Sequence, residues 1–185
     1  MDKGIFEKDD LNQVLDRTIS WSENCDNKAS IILGVVGVVL AILLSVEYVE
    51  AIGKLIDSIS VCATFGHSVL LILIIVAFIT CIVGIVHLIK SLTASIKIEE
   101  FSKREIFADS RLFFVTIANS PKLGDYEKKL NETDEDLFLK DLKSQIYICS
   151  IICTKKFKNY NRGLYLSMLG IGVLMLLAII RFMMG

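Results

Sequence analysis

Three stretches of this chain carry no Asp, Glu, Lys or Arg: Ala29 to Val46, Ser58 to Ile89 and Gly163 to Ile180. About 18 uncharged, mostly apolar residues are enough for a helix to cross a hydrocarbon core of roughly 30 Å, and all three stretches qualify. At 185 residues the chain has room for about one domain, and the apolar 54% of it is concentrated in these blocks. The first block lies too far from the N-terminus, behind too many acidic residues, to be a cleaved signal peptide. The expectation is an all-α membrane protein with three retained transmembrane helices. At least two of them extend into a small helical cytoplasmic region that includes one short β-prone segment.

Lys and Arg in short loops beside a span stay on the cytoplasmic side. Lys3, Lys8, Arg17 and Lys28 precede the first span, while its connection to the second holds only Lys54 against Glu47, Glu50 and Asp57. Lys155, Lys156, Lys158 and Arg162 cluster before the third. These charges place the N-terminus inside, despite Arg181 on the outer side. The resulting layout is a cytoplasmic amphipathic helix over 1–28 and a first transmembrane helix over 29–50, followed by an external loop over 51–66. A second transmembrane helix covers 67–90, a cytoplasmic region 91–160, and a third transmembrane helix 161–182.

Asp9 or Asp10 can cap a helix carrying Leu11, Val14 and Leu15 at helical spacing, and nothing breaks it before the first span. Trp21 and Lys28 then sit near the headgroups, where an amphipathic ring and a snorkelling amine are both stable. The second span runs past Lys90 toward Arg104 without a breaker. Leu112 to Ala118 is a short β-prone run, with a buried helix end as the competing reading, closed by Asn119, Ser120 and Pro121. From Thr133, with Asp136 three residues on as a capping-box-like signal, a helix can continue into the third span.

Each span carries small residues at three-and-four spacing. Gly34 and Gly37 lie in the first, Gly84 with His87 in the second, Gly163 and Gly170 in the third. Small residues let helix backbones approach closely in lipid, where no hydrophobic effect drives helices together. Two uses are open: the seam of a three-helix bundle, or an exposed face for self-association. His87, an ionisable group within the second span, is read as a neutral imidazole hydrogen-bonded to a neighbouring helix, with a pH or voltage sensor as the alternative.

No Gly-rich phosphate loop, nucleophile elbow or paired-histidine motif occurs, so no catalytic residue and no enzymatic activity is expected. The five cysteines and two histidines lack metal-ligand spacing, and neither a metal nor a cofactor is expected. Aromatic and basic residues mix in the central region, with Arg104, Arg111, Phe113, Phe114 and Tyr126 as the candidate ligand set. Such residues can stack on a nucleobase and pair with a phosphate. A solvated helix face over a small aromatic core is the other reading. Acidic residues are almost as numerous there, which argues against a nucleic-acid surface.

Three pieces of sequence, in order, carry a resemblance. They are the run containing Trp21, Asp26 and Lys28 ahead of a Gly-containing span, the aromatic run from Leu112 to Ile117, and Asp141 to Tyr147 followed by Lys155, Lys156 and a last span. The pattern resembles the Pycsar effector family from about Asp10 onward. The resemblance implies a multi-pass protein of the bacterial inner membrane acting in anti-phage defence. Its region 91–160 would be the sensor and effector part, responding to a cyclic pyrimidine mononucleotide (cyclic CMP or cyclic UMP) from a partner cyclase. Self-association in the bilayer would then impair membrane integrity and kill the infected cell. The alternative is a membrane scaffold or accessory subunit that signals to a soluble partner and leaves the bilayer intact.

Overall fold

The computed structural model describes residues 7–45, 50, 53, 65–95, 104, 106–107 and 109–184. Among them five helices are formed: α1 Lys8–Leu43, α2 Phe65–Leu92, α3 Phe114–Ala118, α4 Leu123–Asn131 and α5 Glu135–Met184. No strand occurs among the described residues. Most of the expected external loop, including Cys62, lies outside them, as do Phe101 and Lys103.

Helix α1 starts one turn early, because the Asp10 carboxylate reaches back to accept the Glu7 N–H at 2.9 Å. That contact is the returning half of a capping box, with the charge in the first turn where the helix dipole favours it. α1 stops at Leu43, short of the expected 50, and 46–49 are outside the described residues. α5 is capped by Asp134, not Thr133: the Asp134 carboxylate accepts the Leu137 N–H at 2.8 Å. The Thr133 hydroxyl instead donates to the Lys129 carbonyl at 2.7 Å and closes α4. From Glu135 the helix continues for 50 residues without a proline or a break.

Two expectations are corrected. α2 does not run on toward Arg104; it ends at Leu92, where the Thr93 hydroxyl bonds the Ile89 carbonyl at 3.2 Å and competes with the helical ladder. The run 112–118 is not a strand. Its second half is the helix α3, and its first half is a turn whose N–H groups are taken by side chains.

The chain divides into two compact units. The first comprises residues 1–25 and 94–156. Its core is Ile106 and Ile148, with Phe113, Ile151 and Ile152 packed against them. Ile148 and Leu142 are almost fully buried, which stabilises this unit by about 2–3 kcal/mol each in water. The Lys8 ammonium lies 4.8 Å from the Phe138 ring centre, a cation–π contact between α1 and α5.

The second unit comprises residues 26–93 and 157–185. Val36, Cys81 and Ile171 form its centre, one each from α1, α2 and α5, with Ile32, Val39, Leu40 and Ile85 around them. Large apolar side chains on all three helices point away from that centre, among them Ile31, Val38, Ile42, Ile72, Ile79, Met168 and Leu176. So much uncovered apolar surface is costly in water and ordinary in lipid. α1, α2 and α5 are each long and apolar enough to cross a membrane, and the chain is a multi-pass membrane protein.

Candidate functional site

In the first unit one buried carboxylate organises a loop. Asp141 lies on α5 and is 1% exposed. Its Oδ2 accepts the Arg111 N–H at 2.6 Å and the Leu112 N–H at 3.2 Å. The Ser110 hydroxyl oxygen accepts the Leu112 and Phe113 N–H groups at 3.1 and 2.8 Å, and the Gln145 amide at 2.9 Å. Asp141 and Gln145 are four apart on one helix, so both face this loop. Asp141 and the Ser110 hydroxyl, the latter held by Gln145, satisfy backbone donors that a strand partner would otherwise have to take, which is why the β-prone run can fold as turn and helix.

The loop presents a cation. The Arg111 side chain is only 12% exposed, and its Nη1 donates to the Asp109 carbonyl at 2.6 Å and lies 3.2 Å from Asp109 Oδ2. Lys129 Nζ, from α4, donates to Asp109 Oδ1 at 2.7 Å. The lysine hydrogen bond, helped by the two positive charges, holds the Asp109 carboxyl below its ordinary range against the opposing effect of burial. Arg111 Nε is buried with no hydrogen-bond partner. The Phe107 ring lies 5.4 Å from Arg111 Cζ and 5.4 Å from Lys140 Nζ. The Tyr126 hydroxyl donates to the Arg111 carbonyl at 3.1 Å and ties α4 to the loop. Two cations converging on one anionic group beside an aromatic ring are groups chemically able to pair with a small anion and to stack on a flat ring.

Of the candidate ligand set, Arg111 and Tyr126 are therefore brought together. Phe113 packs on the core, while Phe114, its ring centre 5.0 Å from that of Phe113, is 72% exposed. Arg104 is exposed on a turn ahead of Phe107. Trp21 and Lys28 are exposed on α1, and Asp26 between them is half-buried.

In the second unit the small residues fall into two groups. A Cβ on Gly170 would lie 2.7 Å from Cys81 N and 2.8 Å from the Ala77 carbonyl oxygen. One on Gly163 would lie 2.8 Å from Leu88 N, and one on Gly84 2.5 Å from Ser167 N. These three glycines form the α2–α5 seam. His87 Nδ1 adds a contact to Asn159 Oδ1 at 3.3 Å, in which the Nδ1–H tautomer donates. Gly34 and Gly37 are different: nothing lies within 4 Å of where their Cβ atoms would be. The small face of α1 is thus open within one protomer.

Sequence reasoning gave no role to Asp109, Ser110, Lys140 or Asn159, used Asp141 and Gln145 only within the segment that carries the family resemblance, and placed Phe107 and Lys129 no more exactly than in a mixed region. The i,i+4 pair of Asp141 and Gln145, two polar residues on the apolar face of a helix beside Leu142 and Ile148, was the one signal that could have been used.

The Pycsar effector protein domain matches residues 10–183. The Pycsar effector protein GmPycTM of Gulbenkiania mobilis is 30% identical over 164 residues, covering 84% of this chain and 83% of that protein. No solved structure matches the chain.

Proposed function

The chain belongs to the Pycsar effector family, and from that membership we propose that it is a membrane effector of bacterial anti-phage defence activated by a cyclic pyrimidine mononucleotide. The ligand, cyclic CMP or cyclic UMP supplied by a partner cyclase, binds the first unit at Arg111. Its phosphodiester is the anionic group and its base the flat ring. The observation that carries this reading is the convergence of Arg111 and Lys129 on one carboxylate beside Phe107.

The protein sits in the inner membrane with its N-terminus and the region 91–160 in the cytoplasm, a reading that the Lys and Arg distribution supports. Its target is the bilayer itself. Three close-packed helices enclose no lumen, so a lesion has to form between protomers. Gly163 and Gly170 are already used inside the protomer, which leaves the open α1 face at Gly34 and Gly37 for contact with a second copy. The nucleotide can drive this association only by binding the associating state more tightly than the resting one.

Co-expression with an inducible pyrimidine nucleotide cyclase tests the proposal in cells. The expected result is loss of membrane potential and growth arrest only when both proteins are made, and its suppression by Arg111→Ala. Full membrane potential with both proteins present, while a soluble protein is captured by this chain, would favour a scaffold instead.

A further inference from the structure

We infer that Asp109 is a built-in competitor for the anion subsite formed by Arg111 and Lys129, and that a cyclic phosphodiester displaces its carboxylate on binding. The inference rests on the proposed nucleotide reading of that site and adds a residue that holds it shut.

The geometry is that of an occupied subsite. Each carboxylate oxygen of Asp109 takes one cation, Oδ2 at 3.2 Å from Arg111 Nη1 and Oδ1 at 2.7 Å from Lys129 Nζ. A phosphodiester offers the same pattern, with one negative charge and two non-bridging oxygens, so the exchange conserves charge at the site. The two cations also hold the Asp109 carboxyl below its ordinary range, so the occupant is ionised at neutral pH.

Asp109 is also placed to leave. Its side chain is 55% exposed while that of Arg111 is 12% exposed, so the carboxylate can turn into water and the guanidinium stays. The backbone beyond it does not have to follow, because Asp141 and Ser110 hold the N–H groups of Arg111, Leu112 and Phe113. Arg111 Nε is buried with no partner, so Asp109 does not use the full donor capacity of the guanidinium. The Phe107 ring, 5.4 Å from the guanidinium carbon, lies close enough for a base attached to the same ligand. An exposed carboxylate with two cationic contacts competes weakly, which suits a gate that a small ligand must open.

The sign of one substitution separates this role from a structural one. Asp109→Asn keeps the shape and removes the charge, and at an exposed position it should fold. Calorimetric titration of the full-length protein in lipid nanodiscs with cyclic UMP and with cyclic CMP is the test. Asp109→Asn should bind the preferred nucleotide about three- to ten-fold more tightly than the parent, and Lys129→Ala more weakly. Binding by the parent with equal or weaker binding by Asp109→Asn would overturn the competitor role and leave the nucleotide site standing. Absence of binding by both proteins at millimolar nucleotide would overturn both readings together.

Discussion

Replacing Gly170 with alanine adds one methyl group where α2 and α5 touch. The new Cβ would meet Cys81 N at 2.7 Å, the Ala77 oxygen at 2.8 Å and Cys81 Cβ at 2.9 Å. Ordinary contact begins at 3.4 Å, so the helices must separate by about 3.4 − 2.7 = 0.7 Å at this point. Two of those three atoms are backbone and cannot rotate away. Gly84 and Gly163 lie on the same seam, so the opening also loosens the contacts with Ser167 and Leu88. Overpacking of this kind costs about 1–3 kcal/mol, which for a chain of this size is a fall of several degrees in Tm. Gly37→Ala is the matched control: its Cβ meets nothing within 4 Å, and alanine favours a helix over glycine by about 1 kcal/mol. Thermal melts of the detergent-solubilised monomer, followed by circular dichroism, should therefore move in opposite directions for the two variants. A Gly170→Ala protein that melts at or above the parent would show that the seam is not backbone-close, and the division between used and open glycines would fall with it.

Other expectations concern the first unit and the topology. Asp141→Ala leaves the Arg111 N–H group without its acceptor and the Leu112 N–H group with the Ser110 hydroxyl alone, at about 1–3 kcal/mol for a donor left buried; hydrogen exchange should rise most at 111, with Asp141→Asn in between. The Asp109 carboxyl is held below its ordinary value of 3.8 by its partners, so the ion pairs stabilise above that pH and are lost as pH falls through the folded-state value. Because the group is more than half exposed, the effect is within about 0.2–1 kcal/mol; the Tm difference between parent and Asp109→Asn should be largest at neutral pH and shrink as the medium is acidified below the ordinary carboxylate range. With the other cysteines removed, Cys62 should react with an impermeant maleimide from outside the cell and Cys149 only after the membrane is opened; labelling of Cys149 from outside reverses the orientation.

The spans were legible in the sequence because lipid imposes a coarse rule, a long run without charge, that 29–46 and 163–180 satisfy whatever their neighbours do. Caps were legible to within a turn: Asp10 and Asp134 act by local bonds across three residues. The helical fate of 114–118 was hidden, since it depends on Asp141 and Gln145, about thirty residues further along the chain. Equally hidden was which small-residue face is used. Gly37 and Gly170 look alike in sequence, and only the packing of α2 on α5 makes one crowded and the other open. Arg111 stood out by its type and its aromatic neighbours. The carboxylate shared with Lys129 required the fold of α4 against the loop.

Dye release from lipid vesicles containing only the purified protein tests the central claim most directly. The account predicts release on addition of cyclic CMP or cyclic UMP. It also predicts that Gly37→Leu, which inserts bulk into the open α1 face, still melts as a folded protein and binds nucleotide yet releases nothing. Vesicles that stay tight with nucleotide bound to the parent, or a Gly37→Leu variant that leaks as the parent does, would contradict it.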